Sequence, residues 1–188
     1  MSKLILASGS PRRRELLALI GLPFEVMVSD VDENISGDVV YIVEELARRK
    51  AQAVADKLQE SATVIAADTL VSVDNRILEK PTDREQAFHM LHSLQGRSHM
   101  VYTGVAVLHQ GVTHSFVEAT AVTFRTMSDQ DIWRYIDTDE PFDKAGGYGI
   151  QGLGATFVNR IEGDYYSVMG LPVSRLYETL ATLNIITN

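Results

Sequence analysis

The sequence contains no cysteine among its 188 residues. Disulfide bonds and zinc–thiolate sites are therefore excluded. It also has no apolar run long enough to cross a bilayer, and the polar, basic stretch 8–14 interrupts the N-terminal apolar run too early for a signal peptide. These absences predict a cytoplasmic protein without a membrane partner.

Positive charge is also scarce, because 17 Lys and Arg residues stand against 25 Asp and Glu residues, for a formal net charge of −8. This balance argues against general binding of nucleic acid or of anionic membranes. A nucleic-acid-binding protein would show tight, salt-sensitive DNA binding, which we do not expect. Local clusters of basic residues must therefore have local causes.

What is present is the composition of an ordinary globular protein, with 45% hydrophobic and 22% charged residues. We predict one domain over residues 1–188, folded as two lobes around a cleft. The apolar patterns predict strands at 4–7, 24–28, 63–67, 70–73, 76–78, 100–108 and 112–124, a β-rich segment at 155–161, and helices at 11–20, 39–58, after 82, after 128 and at about 173–183.

The first unusual stretch joins the first predicted strand to the first predicted helix. Ser10 suits the N-cap of that helix, and Pro11 suits its first position. The three arginines at 12–14 then crowd the positive end of the helix dipole, which is unfavourable unless an anion lies among them. Two interpretations stay open: a solvated basic turn, or a phosphate held by the turn amides and an arginine.

Two carboxylates follow predicted strands. Glu33 closes the acidic segment 29–33, and Asp68 follows the run 63–67, whose lack of alternation is typical of a strand covered on both faces. A carboxylate that closes a buried strand is costly to desolvate unless it is paired or binds a metal. A solvated loop for Glu33 and a structural hydrogen bond for Asp68 are the alternatives.

Two lysines also stand in unusual places. Lys50 falls on the apolar face of helix 39–58, between Ala47 and Val54. Its ammonium either extends along the core edge to solvent or reaches a site that holds negative charge. Lys80 precedes Pro81, which holds it in an extended conformation.

The segment 143–152 is dense in glycine and contains a G-x-G-x-x-G pattern at Gly147, Gly149 and Gly152. We reject a dinucleotide site, because no strand ends just before the pattern and the segment after it is β-rich, not helical. The glycines let the backbone turn sharply or lie close to a ligand. His89 and His92 lack an H-E-x-x-H pattern, so we interpret them as surface or packing residues.

These pieces fit one class of substrate. Cations at Arg12, Lys50 and Lys80 can offset phosphate charge, and the carboxylates Glu33 and Asp68 can hold a divalent metal, usually Mg²⁺, with substrate oxygens. A carboxylate can also act as general base on an attacking water. Because the P-loop and nucleophile-elbow motifs are absent from the sequence, hydrolysis of a phosphoanhydride by metal-activated water fits best.

Longer motifs occur in one order along the chain, namely ASGSPRR at 7–13, Glu33, KA at 50–51, ADT at 67–69, EKP at 79–81, GRSH at 96–99, DKAGGYGIQG at 143–152 and SVMGLP at 167–172. Over essentially its whole length the chain thereby resembles the Maf family of nucleotide pyrophosphatases. The resemblance implies a Maf/ITPase-like α/β fold, an elongated mixed sheet flanked by helices with two lobes around a nucleotide cleft. It also implies hydrolysis of a nucleoside triphosphate to the monophosphate and pyrophosphate, dependent on Mg²⁺ or Mn²⁺, and a homodimer.

The resemblance implies roles for the charged residues. Asp68 matches the proposed general base, although it can instead bind the metal, and both roles stay open. Glu33 matches a carboxylate that binds metal or water. Lys50 and Lys80 match phosphate contacts, and Arg13 is a second phosphate-contact residue.

Base choice is associated with the positions of Arg12, Thr69 and Gln151. In the branch that acts on methylated guanosine triphosphate, an aromatic residue, Gln and Glu replace them, so this chain resembles the dTTP/UTP branch. Modified nucleotides such as 5-methyl-UTP or pseudo-UTP are further expected substrates. The amide of Gln151 offers the donor and acceptor that a uracil or thymine edge requires, and the turn that begins at Ser8 is expected to form a wall of the cleft, opposite Asp68.

The resemblance also carries an association with inhibition of cell division and septum formation. A regulator that acts by protein contact is therefore the alternative function. Asp68→Asn separates the two, because a division phenotype that survives this change would rest on binding and not on catalysis.

Overall fold

The structure is a computed structural model that describes residues 3–186. Its elements are, in chain order, β1 (Lys3–Leu6), α1 (Pro11–Ala18), β2 (Glu25–Val26), α2 (Val39–Ala55), β3 (Ala62–Val73), β4 (Arg76–Leu78), α3 (Arg84–Leu94), β5 (Ser98–His109), β6 (Val112–Phe124), α4 (Asp129–Ile136), β7 (Val158–Glu162), α5 (Tyr165–Met169) and α6 (Val173–Thr182). Three short 3₁₀ segments, Glu140–Asp143, Ala145–Gly147 and Gly152–Phe157, lie between α4 and β7. No helix within residues 3–186 is long and apolar enough to span a membrane.

A mixed sheet of seven strands carries the fold, in the order β2-β1-β3-β5-β6-β7 with β4 paired to β3. β1 is parallel to both β2 and β3, and Leu6 stands opposite Val26 on one side and Ile65 on the other. β4 and β7 run antiparallel to β3 and β6. The predicted mixed α/β sheet with flanking helices is confirmed.

The chain divides into two compact units. Unit 1 comprises Met1–Asp68, Thr103–Glu118 and Gly170–Asn188, and unit 2 comprises Thr69–Tyr102 and Ala119–Met169. The boundary within β3 therefore falls between Asp68 and Thr69. That the whole chain is one domain around a cleft stays a prediction.

Each unit has its own apolar core. In unit 1, small and branched side chains of α2 pack on the sheet, and the core includes Ile5, Ala7, Ala47, Ala51, Val54, Val64, Ala66, Ala106 and Leu108. In unit 2 the core is richer in large rings, and it includes Leu91, Leu94, Val101, Val122, Phe124, Ile132, Tyr135, Ile136, Tyr148 and Phe157. Burial of these side chains from water is the main favourable term that holds each unit.

Helix starts follow the capping residues of the sequence. The side chain of Ser10 accepts from the N–H of Arg13, with Pro11 in the first helical position, and Ser128 forms a capping box with Asp131 at α4. At α3 the N-cap is Asp83, one residue after Thr82. Helix ends differ more, since α1 ends at Ala18 and α2 at Ala55, short of the predicted 20 and 58.

Two predicted strand boundaries are wrong. β3 is a single strand from Ala62 to Val73, where the pattern predicts a strand end at Asp68 and a new strand at 70. Asp68 does not need to leave the sheet, because Lys50 pairs with its carboxylate. The predicted β-rich segment 155–161 begins instead as the 3₁₀ segment Gly152–Phe157, and only β7 from Val158 onward is strand.

Candidate active site

The site in unit 1 starts from the parallel pairing of β1 with β3. Because both strands run in the same direction and Leu6 stands opposite Ile65, the turn after β1 lies beside the residues that follow Ile65 in β3. The N–H of Ala7 donates to the carbonyl of Ile65 at 2.7 Å, which extends this alignment by one residue beyond β1. The turn then leads to the N-terminus of α1, whose dipole is positive at that end.

Ser8 and Arg13 tie this turn together. The buried Ser8 hydroxyl accepts from the N–H of Ser10 at 3.2 Å and from Nη1 of Arg13 at 3.3 Å. Nε of Arg13 donates to the carbonyl of Gly170 at 2.9 Å. Burial lowers the pKa of Arg13 from its ordinary value, and the negative charge of Asp68 opposes that shift. Arg13 is therefore a cation fixed in place at the start of α1.

Lys50 contacts two carboxylates at once. Its ammonium lies 2.6 Å from Oδ1 of Asp68 and 2.6 Å from Oε1 of Glu33. The side chains of Lys50 and Asp68 are only 13% and 12% exposed, whereas that of Glu33 is 62% exposed. Lys50 thus lies on the apolar face of α2 because it reaches negative charge, as the second sequence interpretation expects.

We call Ser8, Arg13, Glu33, Lys50 and Asp68 the Lys50 cluster. All five belong to unit 1, although 60 residues of sequence separate Ser8 from Asp68. Lys50 contacts both carboxylates directly, and the negative charges of Asp68 and Glu33 also raise the pKa of Arg13. The cluster is a compact arrangement of opposite charges beside a helix N-terminus, which is suited to a substrate that brings further negative charge.

The donor set of the Lys50 cluster is compatible with Mg²⁺ or Mn²⁺. Glu33 and Asp68 contact the same ammonium, so two hard oxygen donors converge on one cation. No group of three or more His, Cys, Asp or Glu side chains suited to a metal occurs within residues 3–186. Mg²⁺ typically binds through one or two carboxylates with water and substrate phosphate completing its shell, and this is the mode that the residues fit.

Arg12 lies beside Arg13 on α1 and is half-buried. Its positive charge contributes to the lowered pKa of Arg13. Arg14 is exposed. The side chain of Arg13 contacts Ser8 of the Lys50 cluster and the carbonyl of Gly170.

The remaining predicted site residues belong to unit 2. Thr69 follows Asp68 directly in β3 and is half-buried. Lys80 is exposed after β4, and its ammonium has no hydrogen-bond or ion-pair partner among residues 3–186. The segment around it is fixed, since Pro81 is buried and the N–H of Gly146 donates to the carbonyl of Glu79 at 3.1 Å.

Gln151 lies in what we call the Gln151 loop, residues 149–153. Its side chain is exposed, and in the described part of the chain its amide makes no hydrogen bond. The loop ends in a 3₁₀ segment and not in a long helix, so the dinucleotide-binding arrangement is absent there. His89 and His92 contact the ring of Phe88, in keeping with their interpretation as surface or packing residues.

Sequence reasoning missed three residues that hold the site residues. The carbonyl of Gly170 accepts from Arg13, and Gly170 was part of a recognised motif without an assigned role. Tyr135 and Glu140 contact backbone N–H groups of the Gln151 loop. Nothing in their local sequence indicates this, because the contacts depend on how residues 149–153 fold back toward α4.

Comparisons with known proteins agree with these observations. Residues 3–183 match the family model described as Maf-like protein. A protein of Bacillus cytotoxicus named dTTP/UTP pyrophosphatase is 54% identical over 182 residues, which cover 96% of this chain and 95% of that protein. A protein of Bacillus anthracis with the same name is 50% identical over 187 residues, covering 98% and 97%. The solved structure of the Staphylococcus aureus Ham1 protein has a TM-score of 0.57 at 16% identity, covering 97% of this chain and 100% of that one, which shows a shared fold.

Proposed function

Because the chain belongs to the Maf family, we propose that it hydrolyses dTTP and UTP to the nucleoside monophosphate and pyrophosphate. The two Bacillus relatives, at 54% and 50% identity over nearly the full length, carry the name dTTP/UTP pyrophosphatase. The residues associated with base choice, Arg12, Thr69 and Gln151, are those of the branch that acts on these nucleotides. Modified pyrimidine nucleotides such as 5-methyl-UTP and pseudo-UTP are included in the proposal.

The observation that carries the proposal is the contact of Lys50 with both Asp68 and Glu33. In the proposed reaction, a water oxygen attacks the α-phosphorus and the bond from that phosphorus to the bridging oxygen of the β-phosphate breaks. Pyrophosphate leaves, and Asp68 accepts the proton that the water loses. Lys50 holds the Asp68 carboxylate in place and offers its ammonium to the phosphate oxygens.

Glu33 and Asp68 are the residues that we propose to hold Mg²⁺ or Mn²⁺. When bound, such an ion neutralises charge on the phosphates and lowers the pKa of a water that it binds. If Asp68 binds the ion instead of accepting the proton, Asp68→Asn raises the metal concentration needed for half-maximal rate as well as lowering the maximum rate. If Asp68 is only the base, the metal concentration for half-maximal rate stays the same in that variant.

Phosphate binding is proposed for Lys80 and for the turn after β1. Lys80 is an exposed, unpaired cation within the described residues, and its backbone is fixed beside the buried Pro81. The turn amides, Ser8 and Arg13 surround the N-terminus of α1, where an anion is stabilised by the helix dipole. Arg12 serves in both phosphate contact and base choice.

The test is a panel of ribo- and deoxyribonucleoside triphosphates with 5-methyl-UTP and pseudo-UTP, each with Mg²⁺, with Mn²⁺ and with a chelator, scored for released pyrophosphate. The expected result is metal-dependent release of pyrophosphate, and not of orthophosphate, with dTTP and UTP preferred over purine nucleotides. Absence of release from both dTTP and UTP, or equal release in the chelator, would contradict the proposal. Asp68→Asn protein, purified in parallel, controls for contaminating phosphatases.

We further propose that the protein acts in the cytoplasm, because of its sequence, and that it is a homodimer, because of the family resemblance alone. Sedimentation velocity over a range of protein concentrations tests the oligomeric state. A sedimentation coefficient that stays at the value for a 20.8 kDa monomer at all concentrations would contradict the dimer.

A further inference from the structure

Two hydrogen bonds hold the Gln151 loop on either side of Gln151. The N–H of Gly149, two residues before it, donates to the hydroxyl of Tyr135 at 3.0 Å. The N–H of Leu153, two residues after it, donates to Oε1 of Glu140 at 3.2 Å. Tyr135 lies near the C-terminal end of α4, and Glu140 is the first residue of the 3₁₀ segment Glu140–Asp143. Both partners therefore come from one short stretch of unit 2.

The backbone of the loop also closes on itself. A Cβ at Gly154 would lie 2.1 Å from the carbonyl oxygen of Gly149 and 3.0 Å from the Tyr135 hydroxyl, so only glycine allows the two ends of the loop to meet there. Gly152 has φ of +68°, and a Cβ there would lie 2.7 Å from Oε1 of Glu140. The carboxylate of Glu140 therefore occupies the space that these glycines leave open.

Tyr135 is buried, and Glu140 is only partly exposed to solvent. Tyr135 is fully buried, and its ring packs edge-on against Phe157. Burial raises its pKa above the ordinary value; the N–H of Gly149 opposes this shift, and the charge of Glu140 adds to it. The second oxygen of Glu140, Oε2, is buried and has no hydrogen-bond partner within residues 3–186. A carboxylate oxygen left in that state is costly, so the contact of Oε1 with the loop must offset part of the cost.

Lys144 keeps Glu140 where the loop needs it. Its ammonium donates to the backbone carbonyl of Glu140 at 2.6 Å and to Oδ1 of Asp143 at 2.5 Å. The aliphatic part of Lys144 lies against Gly149, since a Cβ there would approach its Cε to 2.7 Å. The start of the 3₁₀ segment is thus held by a residue that also packs against the loop, and Glu140 can act as a support for it.

We propose that Tyr135 and Glu140 are positioning residues that fix the Gln151 loop and thereby present the amide of Gln151 to the pyrimidine base of the substrate. The inference rests on the proposed function, because Gln151 is the residue to which that proposal gives base choice. Gln151 itself is exposed and makes no hydrogen bond in the described residues. The backbone at 149–153 fixes the position of its Cα and the direction of its Cα–Cβ bond, and Tyr135 and Glu140 hold that backbone at Gly149 and Leu153.

The variants are Tyr135→Phe, which removes the hydroxyl that accepts from Gly149 and that also interacts with the Glu140 side chain, and Glu140→Ala, which removes the acceptor for Leu153. Glu140→Gln keeps an oxygen that can accept from Leu153 and is the conservative rescue. Tyr148→Phe and Glu162→Ala are matched controls in unit 2. Tyr148 is a buried tyrosine whose hydroxyl bonds His99 and not the loop backbone, and Glu162 is an exposed glutamate that pairs with Arg160.

The first readout is steady-state kinetics with dTTP, UTP and GTP. We expect Tyr135→Phe and Glu140→Ala each to raise KM for dTTP about tenfold, as for loss of one net hydrogen bond, with kcat changed less than about twofold. The preference for dTTP over GTP falls by the same factor, and Glu140→Gln restores most of it. In a Gln151→Ala background the same two changes add nothing further. Effects that add fully to Gln151→Ala, or equal effects in Tyr148→Phe, would overturn the inference.

The second readout needs no substrate. Hydrogen exchange should be faster at the amide of Gly149 in Tyr135→Phe and at that of Leu153 in Glu140→Ala, while exchange in α2 stays unchanged. Unchanged exchange at both amides would overturn the inference whatever the kinetics show. A wild-type protein that hydrolyses neither dTTP nor UTP would contradict the proposed function, and the exchange measurement would still decide whether these residues hold the loop.

Discussion

The Lys50 cluster in unit 1 and the Gln151 loop in unit 2 are built from different kinds of contact. In the Lys50 cluster, charged side chains hold one another, with the ammonium of Lys50 at 2.6 Å from each of two carboxylates. In the Gln151 loop, side chains hold backbone N–H groups and leave the functional side chain itself without a hydrogen bond within residues 3–186. In the first region, charged side chains fix one another directly, and in the second, Gln151 is held only through its backbone neighbours.

This difference predicts different sensitivities. Removing one member of the charged cluster changes the groups that we propose to act on the substrate, which should lower kcat/KM more than the loss of one neutral hydrogen bond does. Removing one support of a loop loosens binding but leaves the reacting groups intact. The largest effects are therefore expected in the Lys50 cluster of unit 1, and the smallest at an exposed residue of unit 2.

The largest effect is expected from Asp68→Asn in the Lys50 cluster. This change keeps the shape of the side chain but removes the proton acceptor, so kcat should fall by a factor of about 10²–10⁴. Melting temperature and circular dichroism check that the fold is kept. Asp30→Asn, an exposed carboxylate of the acidic segment before Glu33, is the matched control and should retain activity. An active Asp68→Asn protein would remove Asp68 from catalysis, and in cells a division phenotype that survives the change would support the regulatory alternative.

The next effect concerns pH and a buried histidine of unit 2. Nε2 of His99 lies 2.7 Å from the hydroxyl of Tyr148, and burial, then the charge of Arg97, lowers the pKa of His99 from 6.5 to about 4. Between those values the unfolded chain binds a proton that the folded chain does not. Folding stability should therefore fall as pH drops from about 6.5 to 4, by about 3 kcal/mol at most, and change no further from this group below that.

Denaturant unfolding at pH 7.5, 6, 5 and 4 measures this loss, and His99→Gln isolates it from the other titrating groups. The difference in stability between wild type and His99→Gln should shrink or change sign toward pH 4. A difference that is constant over this range would show that His99 is protonated as readily in the folded protein as in the unfolded chain. Buried Nδ1 of His99, which has no partner in the described residues, gives the added proton no acceptor.

The two regions also differ in how far the sequence predicted them. Local sequence marks the members of the Lys50 cluster. Asp68 is a carboxylate after an apolar run, Lys50 is a lysine on an apolar helix face, and Glu33 is an acid in the segment after a strand. They meet because Lys50 reaches from α2 to Asp68 in β3 and to Glu33 in the segment after β2. The helix cap at Ser10 was predictable because it depends on a short-range pattern, whereas the α/β fold was predicted from the family resemblance.

Contacts that depend on backbone conformation were not predictable. The sequence marks Gly149, Gly152 and Gly154 as flexible positions but does not say which side chain fills the space beside them. The carboxylate of Glu140 fills the space beside Gly152, whose φ is positive, and this contact forms only in the folded loop. The wrong boundary in β3 has a similar cause, since the partner that lets Asp68 stay inside a strand lies 18 residues earlier, in α2.

Lys50→Ala tests whether the Lys50 cluster is built for chemistry or for stability. Without the ammonium, the substrate loses a cation and Asp68 loses its closest partner, so kcat/KM should fall by about 10²-fold or more. Asp68 remains in the field of Arg13, so the free energy of unfolding should fall by less than about 2 kcal/mol. Activity assays and urea unfolding of the same preparation measure both. A stability loss of about 2 kcal/mol or more, with activity kept in the folded fraction, would mean that Lys50 serves packing.

Lys80→Ala tests an exposed cation of unit 2, and its effects on stability and on activity should be the smallest. Because Lys80 is exposed and its ammonium has no partner in residues 3–186, its loss should leave the free energy of unfolding within about 0.5 kcal/mol of wild type. A single phosphate contact at an exposed site should lower kcat/KM for dTTP about tenfold. Lys57→Ala removes an equally exposed lysine just after α2 and should change neither quantity. If Lys80→Ala and Lys57→Ala behave alike, Lys80 is a surface residue and phosphate binding falls to the Lys50 cluster and the turn after β1.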